Sequence, residues 1–488
     1  MLDPGAYSAN NLINGELVAA ESGRLLDVLE PATGEVLARV PASGKEDVDA
    51  AVTAATQAFR SFRRTTPGER AEMLLTLAAK IEEHAEHIAM LESRNVGKPL
   101  PVARDEVAFA VDNLRFFAGA ARTMEGRAGG EYLRGYESYI RREPIGVVAG
   151  IAPWNYPLLM ATWKIGPALA AGNCSILKPS RQTPLTALYI AALAQDVFPA
   201  GAFNVLSGSA ADIGDHLVAD RRIGLVSLTG DTSTGRHIAE VAAAHVAQTH
   251  LELGGKAPVI VLDDADLGAV VAGIATAGFA NSGQDCTAAC RVIATPGIYD
   301  RLLEALVPAV QAIRVGDPQA GDDIDMGPLI SAAHRQSILD VLAKTDGTIL
   351  AGGKALPGNG FFLEPTVVAN PSQADVLVQT EQFGPVVTVQ RADDIDQAFE
   401  WANDVEFGLA SSIWTQNLNH AARAVRDLDF GCVWVNDHMP VLSEMPSNDQ
   451  NLWIPGGRAF PEDDRRSHRI LIKTSVGALA GRHARAHG

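Results

Sequence analysis

The segment YIRREPIGVVAGIAPWNYPLLMATWKIGPALAAGNCSILK, residues 139–178, carries the pattern that decides the predicted fold. Its two short apolar runs, Tyr139 to Ile151 and Cys174 to Lys178, are typical of buried strands, and the run between them has the length and spacing of a helix. A helix that connects two strands of one sheet makes those strands parallel. The segment therefore predicts a parallel strand–helix–strand unit.

Similar units continue on both sides of this segment. Apolar residues recur at helical spacing between Lys45 and Glu92, with a break at Pro67-Gly68. Helix-like and strand-like runs then alternate through GLVSL (224–228) and APVIVL (257–262). This alternation predicts an α/β fold with doubly wound parallel sheets covered by helices on both faces. At 488 residues the chain is long enough for two or three domains, and Gly254-Gly255 is the predicted break.

The composition indicates a globular protein and excludes several partners. Hydrophobic residues make up 47% of the chain and charged residues 20%. The net charge of −18 repels phosphate backbones and anionic lipids, so we expect neither nucleic acid nor a membrane as a partner. No stretch reaches the roughly 18 apolar residues of a membrane span, and the N-terminus lacks an export signal.

The four cysteines, Cys174, Cys286, Cys290 and Cys432, are too few for a disulfide framework in a chain of this size. We therefore expect a reducing, cytoplasmic compartment. The twelve histidines form no HxxxH pattern and no Cys/His cluster at ligand spacing, so the sequence predicts no metal site.

The segment NSGQDCTAACR (281–291) contains the candidate nucleophile, Cys286. Cys286 follows a glycine and a short polar stretch, where a thiol can sit at an exposed turn. Free cysteine is also among the most buried residue types, so a structural role is the alternative for Cys286 and the prediction for Cys290.

Two further motifs carry groups suited to acyl chemistry. In LELGGK (251–256), Glu252 precedes two glycines that allow a close backbone approach, and its carboxylate is a candidate general base. In PWNYP (153–157), two prolines stiffen a turn from which Asn155 can donate to an oxyanion. A solvated glutamate and a structural loop remain the alternatives.

The motif LTGDTSTG (228–235) has the strand, turn and helix order of a phosphate-binding loop. Its glycines, Gly230 and Gly235, do not match the spacing of the common dinucleotide fingerprint. A plain strand-to-helix turn is an equally good interpretation.

Taken together, these motifs resemble the aldehyde dehydrogenase superfamily over about Leu12 to Pro446. Seven of them occur in the order and at the approximate spacing of that family: PWNYP, LKPS (177–180), LTG (228–230), LELGGK, GQDC (283–286), EQFGPV (381–386) and WVN (434–436). The resemblance implies an aldehyde dehydrogenase-like fold with a Rossmann-variant cofactor domain, a catalytic domain and a small β oligomerisation arm.

The resemblance also implies a covalent mechanism. Cys286 is the nucleophile that forms a thiohemiacetal and then a thioester, and Glu252 is the base that activates water for its hydrolysis. Asn155 is the side-chain donor to the oxyanion. A thioester-forming hydrolase without redox function, or a catalytically weakened binding or assembly protein, are the alternative functions.

The family pattern implies NAD or NADP as the cofactor. The residues expected to bind it are Ile151, Trp154, Lys178, Arg181, Gly208, Thr229, Gly230, Asp231, Glu381 and Phe383. Two of them depart from the common pattern. Arg181 stands where an acidic residue often holds ribose hydroxyls, and an arginine suits a 2′-phosphate. Asp231 stands where serine is usual, and its carboxylate would repel the pyrophosphate unless it is turned away.

The substrate expectation comes from the aminoaldehyde branch of the family, which NSGQDCTAAC and ELGGKAPVIVLDDAD resemble. The branch includes 4-aminobutanal and betaine aldehyde dehydrogenases. Asp285 is expected to attract an ammonium group, and Tyr156 and Trp163 offer aromatic faces for cation–π contact. An apolar tunnel lined by these aromatic residues is the alternative.

By the same resemblance, residues 1–120 and 143–251 form the cofactor domain, residues 252–446 the catalytic domain, and residues 121–142 the oligomerisation arm of a homodimer or homotetramer. The resemblance ends near Pro446. From Ser447, where the family has an aromatic residue, to residue 488 the tail is divergent and of uncertain fold, and ILIKT (470–474) is a candidate strand for subunit pairing. We expect this tail to reduce activity or alter assembly.

Overall fold

The structure, a computed structural model, describes residues 10–124, 129–444 and 469–472. The helices are α1 Lys45–Phe62, α2 Pro67–Glu83, α3 Ala85–Val96, α4 Leu100–Arg122, α5 Pro157–Ala170, α6 Leu185–Ala194, α7 Asp215–Val218, α8 Thr232–Ala243, α9 Leu267–Phe279, α10 Pro296–Gln311, α11 Ala332–Leu342, α12 Val376–Gln379, α13 Ile395–Asn403 and α14 Leu418–Asp427. The strands are β1 Asn11–Ile13, β2 Glu16–Val18, β3 Leu25–Leu29, β4 Val36–Pro41, β5 Gly130–Leu133, β6 Tyr136–Ser138, β7 Val147–Ile151, β8 Cys174–Lys178, β9 Phe203–Val205, β10 Ile223–Thr229, β11 Gln248–Glu252, β12 Pro258–Val261, β13 Arg291–Ala294, β14 Thr348–Ala351, β15 Thr366–Ala369, β16 Val386–Arg391, β17 Ala410–Trp414, β18 Cys432–Val435 and β19 Arg469–Ile472.

The predicted strand–helix–strand unit is β7, α5 and β8. The two strands pair in parallel, with Val147 opposite Cys174. The first strand is shorter than the predicted run from Tyr139, because the charged and proline-containing residues before Val147 interrupt the apolar pattern and Tyr139 itself is exposed. Helix α5 begins at Pro157, a position at which proline is favoured because the first helical N–H needs no partner.

The first sheet has the strand order β11-β10-β7-β8-β9-β1-β2. The five strands from β11 to β9 are parallel, and β1 and β2 continue the sheet in antiparallel pairing. The chain moves from β7 to β8 and β9 in one direction and then returns to place β10 on the other side of β7. A crevice therefore opens between β7 and β10 at the carboxyl ends of the strands, where doubly wound sheets bind ligands.

The second sheet has the order β14-β15-β16-β13-β12-β17-β18-β19. All of its pairings are parallel except that of β14 with β15. The predicted α/β class with two doubly wound sheets is therefore confirmed. The terminal strand β19, which includes part of the ILIKT segment, pairs with β18 of the same chain, with Val435 opposite Ile472. Ser447 and most of the divergent tail lie outside the described residues.

Two hairpins stand apart from the large sheets. Strands β3 and β4 pair near the N-terminus, and β5 and β6 pair within the segment predicted to be the oligomerisation arm, of which residues 125–128 are not described. The region between Lys45 and Glu92 that the sequence predicts to be helical is formed by α1, α2 and α3. The break predicted at Pro67 is the start of α2, which Thr66 and Glu69 cap. Among the described helices, none is both long and apolar enough to cross a bilayer.

Candidate active site

Four of the predicted site residues are the last residues of parallel strands. Ile151, Lys178, Thr229 and Glu252 end β7, β8, β10 and β11, respectively. Thr229 lies opposite Glu252, and Ile151 lies opposite Lys178. Because neighbouring parallel strands end at one edge, these residues lie along the crevice of the first sheet.

The nucleophile lies on a loop that enters this crevice from the second sheet. After α9, a short 3-10 turn over Ala280–Gly283 holds Asn281 and Ser282 at positive φ, 49° and 60°. Such strained backbone needs surrounding support. The Ser282 hydroxyl donates to the Gly327 carbonyl at 2.8 Å, and the Gln284 carboxamide accepts from the amide of Ile330 at 2.8 Å. These bonds fix the loop that carries Cys286.

Cys286 itself is half-buried. Burial, together with the nearby carboxylates of Asp285, Glu252 and Glu381, raises the pKa of the Cys286 thiol well above its usual range. The thiol is therefore protonated in this environment, and attack on a substrate requires a group that accepts its proton. Glu252 is among the carboxylates in electrostatic range of the sulfur, which places the candidate base beside the candidate nucleophile.

The two glycines after Glu252 are required by close packing. A Cβ on Gly254 would overlap the Glu381 carboxylate, and one on Gly255 would overlap the backbone carbonyl oxygen of Cys286. The Gly255 amide also donates to Glu381 Oε1 at 2.9 Å. Gly254 and Gly255 therefore lie between the nucleophile loop and Glu381. The sequence predicted a close backbone approach at these two glycines.

Lys164 on α5, which sequence reasoning missed, lies in electrostatic range of Glu252. Its side chain is buried, and burial lowers the pKa of Lys164 to about 8 although the Glu252 carboxylate opposes this shift. Glu252 is buried as well. A lysine inside the otherwise apolar run LLMATWKIGPALAAG was the available signal, because a buried charge is expected to have a charged partner.

Asn155 is brought to the nucleophile loop by reciprocal bonds. Its Nδ2 donates to the carbonyl of Gln284 at 3.0 Å, and Asn281 Nδ2 donates to the Asn155 carbonyl at 3.0 Å. Asn155 is buried. The predicted oxyanion donor is thus bonded to Gln284, which lies two residues before the nucleophile, and it helps to hold the nucleophile loop.

Two of the three predicted substrate residues contact each other. The Tyr156 hydroxyl donates to Asp285 Oδ2 at 2.7 Å, and Thr287 donates to Asp285 Oδ1 through its amide at 2.6 Å. Behind Tyr156, the Lys98 ammonium lies 4.4 Å from the centre of its ring. Trp163 is partly buried against the core of the first sheet, and no direct contact between it and Asp285 is found among the described residues.

The Lys98 ammonium belongs to a buried charge cluster that sequence reasoning also missed. It forms ion pairs with Glu106 and, at 3.6 Å, with Glu92. Burial raises the pKa of Glu92 to about 8. The two carboxylates accept bonds from the amides of Leu158 and Leu159 at the start of α5. The cluster therefore anchors the turn that carries Asn155 and Tyr156.

Aromatic residues form one wall of the crevice. Trp154 packs edge to face on Phe383, with ring centroids 5.2 Å apart, and on His334 at 5.6 Å. His334 Nε2 donates to the Phe383 carbonyl at 2.8 Å, which supports Phe383 at its positive φ of 55°. Beside it, burial raises the pKa of the Glu381 carboxyl to about 7. The predicted cofactor residues Trp154, Glu381 and Phe383 are thus neighbours.

At the other end of the crevice, Lys178 is buried and its ammonium donates to the Pro179 carbonyl at 3.3 Å. Burial, and secondly the nearby charge of Arg181, lower the pKa of Lys178 to about 8. Arg181 is exposed. Gly208 packs against Ile213 and has no direct contact with the other predicted residues within the described chain.

Asp231 caps helix α8. Its carboxylate accepts from the Thr234 amide at 3.0 Å and from the Thr234 hydroxyl at 2.6 Å. The carboxylate therefore occupies a helix N–H group that a phosphate would otherwise use. The Gly230 amide donates to the Glu252 carbonyl at 3.0 Å.

Two residues near Cys286 were misjudged or missed. Cys290, predicted to be a buried structural cysteine, is half-buried and lines a pocket with Glu381, so that prediction is wrong. His438, buried after β18, donates from Nε2 to the Thr287 carbonyl at 2.7 Å and accepts at Nδ1 from the Ser412 hydroxyl at 2.8 Å. Because the Thr287 carbonyl can only accept a hydrogen bond, the proton of His438 is on Nε2. Among described residues no cluster of three or more His, Cys, Asp or Glu could hold a metal.

The chain is similar to one protein family and to several solved structures. A model of the aldehyde dehydrogenase family matches residues 17–448. A betaine aldehyde dehydrogenase from Staphylococcus aureus, solved in complex with NAD+, is 37% identical with a TM-score of 0.88, covering 90% of this chain and 89% of its own. PnpE in complex with nicotinamide adenine dinucleotide is 40% identical with a TM-score of 0.87, covering 89% and 91%.

A third structure, a putative aldehyde dehydrogenase from Burkholderia cenocepacia, is 39% identical with a TM-score of 0.87, and the match covers 89% of this chain and 90% of that one. These matches span most of both chains, and the residues matched by the family model include the loop of Cys286. The chain belongs to the aldehyde dehydrogenase family.

Proposed function

We propose that this protein oxidises an aminoaldehyde, such as 4-aminobutanal, to the corresponding acid with NAD or NADP through a thioester on Cys286. The observation that carries the proposal is the meeting of three groups at one crevice. Glu252 from the first sheet is in electrostatic range of the Cys286 sulfur, and Asn155 is hydrogen-bonded to the loop that holds it.

The crevice has a polar group that a dinucleotide can use. The buried Thr229 hydroxyl at the strand edge has no partner among the described atoms. Glu381, Phe383, Trp154 and Lys178 would hold the cofactor there. When bound, it accepts the hydride that leaves the substrate carbon.

The chain's own groups carry the remaining chemistry. Glu252 takes the proton of the Cys286 thiol and passes it to solvent, the sulfur adds to the aldehyde carbon, and the Asn155 amide stabilises the resulting alkoxide. Loss of hydride leaves a thioester. Glu252 then removes a proton from water, which attacks the thioester, releases the acid and returns the thiol. The Lys164 ammonium lies in electrostatic range of Glu252.

A cationic substrate is supported by the charge of Asp285. Its carboxylate accepts neutral donors from Tyr156 and Thr287, and among the described residues no cation lies within ion-pair distance of it. An ammonium group entering beside Cys286 would be attracted by this uncompensated charge. The mutation Asp285→Asn should raise KM for 4-aminobutanal at least about tenfold more than KM for butanal. Equal changes for the two aldehydes would refute the proposed preference.

The redox reaction itself has a direct test. Reduced nicotinamide should form, by its absorbance, when the protein meets 4-aminobutanal and NAD or NADP, and Cys286→Ala should abolish the signal. Wild-type protein that releases acid from an activated ester but never reduces the cofactor would favour a hydrolase instead.

NADP use is supported by the position of Arg181. It is exposed at the end of the crevice near Lys178, where its guanidinium is free to reach a 2′-phosphate. We expect Arg181→Glu to raise KM for NADP at least about tenfold and to leave KM for NAD within about threefold. A wild-type protein that prefers NAD strongly would remove this role for Arg181.

Self-association is supported by the hairpin of β5 and β6. Tyr132, Leu133 and Tyr136 on it are 77%, 64% and 65% exposed, which is unusual for large apolar side chains grouped together. We propose that a second copy of the chain covers them in a homo-oligomer. Light scattering should give a dimer or tetramer mass, and replacing the three residues by serine should reduce it.

A further inference from the structure

Cys286 lies in the middle of a tight turn that its two neighbours form. The Thr287 amide and hydroxyl both donate to Asp285 Oδ1, at 2.6 and 2.7 Å, which closes an Asx turn around the nucleophile. The Ala288 amide also donates to the Asp285 backbone carbonyl at 3.2 Å. The position of the sulfur therefore depends on what holds Asp285 on one side and Thr287 on the other.

The two neighbours of Cys286 are bonded to different parts of the molecule. Tyr156, the residue before α5, donates from its hydroxyl to Asp285 Oδ2 at 2.7 Å. His438, which follows β18 of the second sheet, donates from Nε2 to the Thr287 carbonyl at 2.7 Å. The nucleophile turn is thus held on one side by the helix between β7 and β8 and on the other side by the loop after β18.

The His438 ring is itself fixed in one orientation. It is 5% exposed and packs on Trp434 with ring centroids 4.7 Å apart. Its Nδ1 accepts from the Ser412 hydroxyl at 2.8 Å, which keeps the proton on Nε2. Burial lowers the pKa of the imidazole to about 4, so the ring is neutral near pH 7. The Thr287 carbonyl therefore meets a single, well-oriented donor.

The loop that carries His438 contains strained backbone. Asn436 and Met439 have φ of 55° and 86°, a region that residues with side chains rarely adopt. Asn436 is held there by Thr415, whose amide donates to Asn436 Oδ1 and whose carbonyl accepts from Nδ2, both at 2.9 Å. Strain of this kind persists where the surrounding structure supports it, and it is common at active sites. It is a second, independent sign that the placement of His438 matters for function.

We propose that His438 is a positioning residue for the nucleophile, which fixes the peptide after Cys286 through the Thr287 carbonyl and so directs the sulfur toward the aldehyde carbon. Without this donor, the turn would be held from outside only through Asp285, and the sulfur would occupy a wider range of positions. The inference rests on the proposed function, because it concerns the step in which Cys286 attacks the substrate.

The first experiment compares two substitutions of His438 in the full-length protein. His438→Phe keeps a flat ring against Trp434 but has no N–H, so kcat with 4-aminobutanal should fall at least about tenfold, since small displacements of a reacting atom are this costly. KM for the cofactor should stay within about threefold, because Lys178 and Glu381 lie on other segments. In His438→Gln the side-chain amide offers an N–H at a similar distance from the backbone, and most of the lost kcat should return.

A second pair of variants tests the same contact without changing His438. Ser411 and Ser412 are neighbours on β17, are both 0% exposed and point to opposite faces of the sheet. Ser412 donates to His438, whereas Ser411 donates to the Cys432 carbonyl at 3.1 Å. Each alanine variant loses one buried hydroxyl bond, but only Ser412→Ala releases the imidazole. We expect Ser412→Ala to lower kcat at least about threefold and Ser411→Ala, the matched control, to leave it within about twofold.

The outcomes separate this inference from the proposed function. If the wild type reduces the cofactor and a folded His438→Phe keeps kcat within about threefold of it, the positioning role is overturned and the proposed function stands. If circular dichroism shows that His438→Phe does not fold, equal kcat values for Ser411→Ala and Ser412→Ala overturn the role instead. A wild-type protein that never reduces the cofactor refutes the proposed function, and the role of His438 with it.

Discussion

Adding one methyl group at Gly255 should disable catalysis while leaving the fold largely intact. A Cβ added at Gly255 would lie 2.1 Å from the backbone carbonyl oxygen of Cys286. Real Cβ atoms stay at least 3.0 Å from such atoms, so the two are about 1 Å too close. That oxygen belongs to a loop held by bonds of Asn155 and Gln284 and is not the end of a flexible side chain. In Gly255→Ala the nucleophile must therefore move by roughly 1 Å, and displacements of this size cost about 10²-fold in rate.

The same mutation also moves the Gly255 amide, which donates to Glu381. We therefore expect kcat to fall about 100-fold and KM for the cofactor to rise, with about 1–3 kcal/mol of lost stability from overpacking. Reduced-nicotinamide formation at saturating aldehyde and varied cofactor concentration measures kcat and KM, and urea unfolding measures the loss of stability.

The matched control is Gly119→Ala on helix α4, where a Cβ has nothing within 4 Å. Alanine is favoured over glycine inside a helix by about 0.5–1 kcal/mol, so this variant should be slightly more stable and fully active. If kcat of Gly255→Ala is within threefold of the wild-type value, the close approach of Gly255 to the Cys286 carbonyl does not position the nucleophile.

Three further outcomes are expected. Glu252→Gln should lower steady-state kcat about 10²–10⁴-fold while stopped-flow still detects reduced cofactor in the first turnover, because the base acts on water in the second half-reaction; loss of both phases alike would refute this assignment. Lys164→Met should lower kcat at least about tenfold, since it removes the cation in electrostatic range of Glu252, and an unchanged kcat in a folded variant would show that Lys164 does not act on it. Burial lowers the pKa of His438 to about 4, below its unfolded value near 6.5, so the unfolded chain takes the proton first and stability is lost as pH falls through this window. Between pH 7.5 and 5 His438 should therefore lower the free energy of unfolding by about 2 kcal/mol. Urea unfolding at the two pH values should show that His438→Asn lacks this loss, and an identical pH dependence of the two proteins would contradict the assignment.

The elements of the fold were predictable where local pattern determines them. The apolar runs at β7 and β8 and the helix between them are legible because burial on both faces leaves little room for polar residues. The length of β7 was overestimated, since periodicity alone does not show where charged neighbours leave the sheet.

The candidate site was predictable only where a contiguous motif carries it. Cys286, Glu252 and Asn155 each lie in such a motif. Lys164 and His438 do not, because their roles come from contacts with Glu252 and Thr287 that are distant in sequence. Cys290 was assigned to the core from the average behaviour of cysteine, whereas the pocket that it lines is formed with Lys256 and Glu381, which come from other segments of the chain.

The pairing of β19 with β18 sets a limit on how far the chain can be shortened. Residues Arg469–Ile472 satisfy the backbone groups along Cys432–Val435, which would otherwise form an open sheet margin rich in apolar side chains. Exposed margins of this kind recruit strands from other molecules. A protein cut back to residue 444 should therefore precipitate or form ill-defined aggregates on concentration, even though every residue of the crevice remains in place.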